Sequence, residues 1–211
     1  MKSGEESKDT RTRILEAASR LFHEQGFAAT GVATILREAG VNSGSLYHFF
    51  PSKEALLQGV LEWYLERLYP EIMQPVELDE PEPLARIFKL LGWYRSYLVA
   101  HDCQLGCPVG NLALEVSDTH PDLKQLLHRN FCNWTGVLER WLEEAGAQLP
   151  GDCDRRAMAR FVLTVMEGGV MQSRVAGSPE PFDESVAQLE KYFASLAGQS
   201  TLRRMRPAQL A

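Results

Sequence analysis

Long apolar runs are missing from this 211-residue chain, and none approaches the roughly 18 residues that a membrane-spanning helix needs. The opening segment MKSGEESKDTRTR is polar and mixed in charge. It lacks the apolar core of a secretory signal, so a cytoplasmic protein with no membrane partner is expected. Cysteine is scarce: Cys103, Cys107, Cys132 and Cys153 form no CxxC pair and have no His-x3-5-His beside them. This argues against both a disulfide scaffold and a structural zinc site, and no metal or cofactor is expected. Positive charge is not in excess either. The net charge is −6, with seven basic and seven acidic residues before position 61 and 15 and 21 after it. The N-terminal quarter is therefore neutral, and the acidic surplus lies wholly in the remainder. Strand patterns and internal repeats are likewise absent.

What remains is helical periodicity. Ile14, Leu15, Ala18, Leu21 and Phe22 form one apolar stripe that Gly26 ends. Thr30 can cap a short helix whose buried face is Ile35, Leu36 and Ala39 and which Gly40 closes. Ser43 can cap a third helix that Pro51 stops, and Ser52 a long fourth one carrying Leu56, Leu57, Val60, Leu61, Tyr64, Leu65 and Leu68. Residues 75–83, proline-rich and acidic, are expected as a loop. Further helices are expected near 84–101, 108–117, 122–145 and 153–175, then from a cap at Asp183 to about 196, with a disordered tail from 201. The expectation is an all-α chain of about nine helices. A head over 1–52 precedes a body over 53–200.

The segment Thr30–Lys53 carries the most chemistry. Two short helices joined by a glycine-containing turn have the form of a helix-turn-helix, although an ordinary helical hairpin has it too. In the second helix Leu46, Phe49 and Phe50 are apolar. Ser43, Gly44, Ser45, Tyr47 and His48 are small or polar, as a helix that enters a major groove requires. Lys53 and Thr30, each at a helix start, could hold phosphates, and Arg37 could reach the groove or the DNA backbone.

The string AGVNSGSLYHFFPSKEALL, with GFAATGVATILREAG before it, resembles the DNA-binding signature of the TetR family over about residues 10–60. The resemblance implies a three-helix DNA-binding head and a helical body that binds a ligand and dimerises through its last two helices. It also implies repression of a double-stranded DNA operator, relieved by a small molecule. In the body, GCPVGNLALEV (106–116) is similar to a TetR subgroup that includes electrophile-sensing repressors. Cys107 falls at a helix start, where it is either a sensing thiol or a small buried hydrophobe.

A small-molecule pocket for an apolar or aromatic inducer is expected from Tyr64, Trp93, Tyr97, Cys107, Asn111, Glu115, Trp134 and Met166. Phe161, Val165, Gly169, Leu189, Tyr192 and Phe193 are expected at a homodimer interface. The mid-helix pair Gly168-Gly169 points to close helix approach there, or to a kink or cavity wall. The reading is a DNA-binding regulator and not an enzyme, with thiol chemistry at Cys107 as the alternative.

Overall fold

The computed structural model describes the backbone of residues 2–205 and the side chains of residues 9–197. It is all-α, with no strand among the described residues. The helices are α1 (Lys2–Gln25), α2 (Val32–Ala39), α3 (Ser43–Phe49), α4 (Lys53–Leu68), α5 (Gln74–Asp79), α6 (Pro83–Ala100), α7 (Pro108–Val116), α8 (Pro121–Glu144), α9 (Arg155–Ala176) and α10 (Glu180–Met205). A π turn (Tyr69–Met73) precedes α5. Among the described residues no helix is long and apolar enough to cross a membrane.

Differences from the periodicity have local causes. The segment expected as a loop at 75–83 contains α5, because Pro75 lies in the first helical turn, where a missing N–H costs nothing. Pro83 likewise opens α6. The cap of α3 is Asn42, whose Oδ1 accepts from Ser45 N at 2.8 Å, and not Ser43. Gly31, and not Thr30, occupies the cap position of α2. Ser52 does cap α4, accepting from Ala55 N at 3.1 Å. Helix α10 starts before Asp183, which instead forms a two-bond pair with Arg95 at 2.7 and 2.9 Å. That helix runs on to Met205, into the stretch expected to be disordered; residues 206–211 lie outside the described residues.

The chain divides into two compact units, and the division does not follow the 52/53 boundary. The first takes Met1–Leu68 with Leu105–Phe131, the second Tyr69–Gln104 with Cys132–Ala211. In the first, Ile14, Leu15, Ala18, Leu21 and Phe22 of α1 are buried with Ile35 of α2, Leu46 of α3, and Leu56, Leu57, Val60 and Leu61 of α4. Half of α4 thus belongs to the core of the head. Gly59 makes this contact close: a Cβ there would lie 2.7 Å from Phe50 Cε1 and 3.3 Å from Leu15 Cδ2. Buried Asn130 ties α8 to α4 by donating to Leu61 O at 3.2 Å.

In the second unit the buried Trp141 donates through Nε1 to Glu77 Oε1 at 2.6 Å. Arg140 reaches the same oxygen at 2.5 Å, and the Tyr69 hydroxyl donates to Oε2 at 2.7 Å. Helices α9 and α10 pack side by side. At their crossing a Cβ on Gly169 would stand 3.0 Å from Phe182 Cδ2 and 3.2 Å from its Cα, while one on Gly168 meets nothing within 4 Å. Close helix approach therefore holds for Gly169, but within the protomer and not at the two-fold interface for which it was expected. Alanine normally gains about 0.5–1 kcal/mol over glycine inside a helix. Gly168→Ala is expected to show that gain, and Gly169→Ala a net loss of about 1–2 kcal/mol from overpacking against backbone. Urea unfolding of the two variants checks the contrast in sign.

Candidate nucleic-acid interface

The helix-turn-helix is set by its backbone. Gly40 adopts the left-handed conformation (φ 64°, ψ 38°) after α2, with Gly40 N donating to Arg37 O at 3.3 Å and Val41 N to Leu36 O at 3.1 Å. This closes α2 and turns the chain within two residues, so that Asn42 can cap α3. Arg13 of α1 supports the turn by donating to Ala39 O at 3.2 Å. Helix α3 is anchored by Leu46, fully buried, and followed by Phe50, also buried, with the Arg11 guanidinium 5.5 Å from the Phe50 ring centroid.

The opposite face of α3 is open. Ser43, Gly44, Tyr47 and His48 are exposed, Ser45 is half-buried, and Arg37 of α2 is exposed on the preceding helix. These six residues, expected to contact DNA, therefore lie at the surface of the two helices. Small residues form the first turn of α3 and aromatic ones its last. Such an arrangement presents free backbone N–H groups and short side chains where a phosphate backbone or a groove edge could approach.

Two expected contacts are placed differently. Thr30 is fully buried, and its hydroxyl donates to Gly26 O at 2.6 Å and lies 3.2 Å from Leu21 O. This corrects the expectation of a phosphate contact through its side chain. Thr30 instead fastens the turn between α1 and α2. Lys53 is half-buried, with Nζ 3.4 Å from Ala28 O and 4.4 Å from the centroid of Phe27. Beside it Glu54 is held below the usual carboxylate range by its own backbone N–H and by the Ser52 hydroxyl, outweighing partial desolvation. The start of α4 thus already carries an anion of its own.

The expected ligand residues divide between the units. In the first, the Tyr64 hydroxyl is 2.8 Å from Ser19 Oγ, and Asn111 lies against Gly106, whose Cβ would be 2.6 Å from Oδ1. Cys107 is buried and caps α7, its Sγ accepting from Gly110 N at 3.3 Å. Glu115 corrects its expected role: its two oxygens accept from Phe27 N at 2.8 Å and Ala28 N at 2.7 Å, so the carboxylate is engaged by a turn rather than offered to a ligand.

In the second unit Trp93, 40% exposed, stacks on Tyr97 with centroids 5.8 Å apart. Trp134 is buried against Tyr94 at 5.3 Å, and its Nε1 has no hydrogen-bond partner among the described residues. Met166 is buried. A cavity of about 420 Å³ in this unit is lined by Cys153, Met158, Phe161, Tyr192 and Leu196 among others, and by none of the expected ligand residues. Among the described residues no three His, Cys, Asp or Glu side chains gather as a metal site would require.

The expected interface residues separate by exposure. Leu189 and Phe193 are buried within the protomer, Phe193 in edge contact with Phe88 of α6 at 5.6 Å, and Gly169 is packed on Phe182 of α10, which corrects the assignment of these three to a surface. Phe161 (45% exposed) and Tyr192 (43%) stay outside, in edge contact at 5.7 Å, and Val165 is half-buried. Periodicity finds an apolar helix face but cannot say which neighbour covers it. Missed from the sequence were Met171 and Val175, both exposed on α9; their spacing from Phe161 was the available signal.

Comparison with known proteins agrees with this geometry. Residues 14–60 match the family described as bacterial regulatory proteins, tetR family, and residues 83–188 match the LmrA/YxaF-like C-terminal domain of transcriptional regulators. The HTH-type transcriptional regulator YxaF of Bacillus subtilis is 31% identical over 165 residues, covering 78% of this chain and 85% of the relative. LmrA of the same organism, an HTH-type transcriptional regulator, is 31% identical over 176 residues, covering 82% and 90%. The crystal structure of a TetR regulatory protein from Rhodobacter sphaeroides superposes with a TM-score of 0.77 at 26% identity, covering 84% of this chain and 95% of that one. With the matched head spanning the turn at Gly40 and the open face of α3, the chain belongs to the TetR family of bacterial helix-turn-helix transcriptional regulators.

Proposed function

We propose that the chain is a repressor that binds a near-palindromic operator as a homodimer and releases it when a small apolar or aromatic molecule binds the body. The observation that carries the DNA half is the open face of α3, where Ser43, Gly44, Ser45, Tyr47 and His48 stand over a buried Leu46, with Arg37 exposed on α2. Tyr47 and His48 serve as phosphate or base-edge contacts, the small residues let the helix seat in the groove, and Lys53 is left a supporting role beside Phe27. The acidic body repels DNA, which favours docking through the head.

Dimerisation is supported by a stripe on α9 at helical spacing: Phe161, Thr164, Gly168, Met171 and Val175, four of them exposed and Gly168 half-buried with open space at its Cα. A second copy related by a two-fold axis would cover it together with Tyr192. Phe161→Glu combined with Tyr192→Glu is expected to yield monomers in sedimentation at concentrations where the parent protein is dimeric. Operator binding should be lost with the dimer, because one head alone reads one half-site.

The ligand half is supported by Trp134, whose buried indole N–H calls for an acceptor and sits beside Tyr94. A ligand that prefers the DNA-incompetent state by about 1–3 kcal/mol lowers operator affinity roughly 5–150-fold. Gel-shift titration of the DNA upstream of the protein's own gene, beside a scrambled duplex of equal length, tests the whole reading. Equal affinity for the two would remove it.

A further inference from the structure

We infer that Glu115 is the positioning residue through which α7 holds the turn between α1 and α2, and with it the helices that face DNA; the inference rests on the reading of α3 as the DNA-contacting helix. The turn leaves α1 at Gly26, in the left-handed region (φ 84°), and there the backbone N–H groups of Phe27 and Ala28 are presented on one side. Glu115 meets both, Oε2 at 2.8 Å from Phe27 N and Oε1 at 2.7 Å from Ala28 N. The carboxylate lies so close that a Cβ on Gly26 would be 3.0 Å from Oε2. Glycine is therefore required at 26 by its φ and by the acid seated on it.

The same helix is attached at a second point. His23, near the end of α1, lies with Nε2 2.6 Å from Gly106 O, just before α7 begins, and His120, just beyond α7, makes an edge contact with Phe27 at 5.7 Å. From the other side Lys53 covers Phe27, and the Thr30 hydroxyl holds Gly26 O. The turn is thus gripped by α7 and α4 together, and it ends one residue before the cap of α2, so a shift of α7 along or around its axis is delivered to α2 and α3. Glu115 is itself exposed, and the core beneath the turn is made by Leu21, Phe22, Ile35 and Leu46, which do not depend on it. An exposed carboxylate bonded to two consecutive amides sets position more than it sets stability.

The test uses the full-length protein, titrated with duplex DNA from upstream of its own gene and with a scrambled duplex of the same length. Glu115→Ala is expected to lower affinity for the first at least about 10-fold, within the range of ordinary inter-site coupling, and to leave affinity for the second unchanged. Glu115→Gln, which keeps one acceptor oxygen, should fall between, and Leu114→Ala, at the 82% exposed neighbour, should bind as the parent does. Amide exchange at Phe27 and Ala28 should quicken in Glu115→Ala while the thermal midpoint stays within a few degrees. Operator binding unchanged in Glu115→Ala overturns the inference and leaves the DNA-binding reading standing. A fall in both affinities with a large drop in melting temperature also overturns it, since that is a folding role. A parent protein that does not distinguish the two duplexes overturns the underlying reading instead.

Discussion

Trp141→Ala is expected to cost about 3–5 kcal/mol of unfolding free energy, measured by denaturant titration, the largest loss anticipated for a single side chain. The indole is fully buried, and its N–H is one of the donors that satisfy Glu77, so the variant leaves both a cavity and a less satisfied carboxylate. Trp141→Phe separates the two effects by keeping most of the volume while losing the donor, and should cost about 1–3 kcal/mol. The pH dependence gives a second check. Burial pushes the Glu77 carboxyl up, but hydrogen bonds from Trp141 and Tyr69 and the charges of Arg140 and Arg86 outweigh it, and the net shift is downward. A folded-state value below the unfolded one means that stability is present above the ordinary carboxylate range and lost as pH falls through the folded value. With the Trp141 donor removed the folded value rises toward the unfolded one, so the acid-side loss should be smaller and complete at higher pH. An acid limb identical in parent and Trp141→Phe would contradict this role for Glu77.

The second large effect is on DNA. Ser43 is exposed and is the first residue of α3, so Ser43→Glu should leave the head as stable as before, or firmer by about 0.3–1 kcal/mol, because a carboxylate suits a helix N-terminus. The same charge would stand where the proposed operator backbone approaches. Operator affinity is expected to fall on the order of 100-fold or more. Opposite signs for folding and binding are what mark a contact residue, and thermal melting beside a binding titration reads both.

Much of the head was legible in the sequence because its helices bury a single stripe at the 3.6-residue period. Ile14 to Phe22 on α1 and Leu56 to Leu61 on α4 are buried as the pattern requires, and the face of α3 divides at Leu46 as expected. Thr30 was misread for a general reason. A threonine before a helix reads as a cap, but the side chain turned inward to carbonyls at the end of α1 once Gly31 took the cap position.

The roles of Glu77 and Glu115 were not legible, because a carboxylate is defined by the donors opposite it. Those donors lie 64 residues away in Trp141 and 88 in Phe27. Likewise the apolar stripe of α10 announced burial at Leu189 and Phe193 but not its partner, which is the protomer's own bundle. The exposed part of α9, starting at Phe161, is what the sequence had blended with it.

The central claim is that two copies of α3 read DNA from one dimer. Hydroxyl-radical footprinting of the full-length protein on its own upstream DNA tests this most directly. The account predicts two protected half-sites related by a two-fold axis, with centres one helical turn, about 34–36 Å, or a whole multiple of it apart, and their loss in Ser43→Glu. A single unpaired footprint, or protection that persists unchanged in Ser43→Glu, would contradict it.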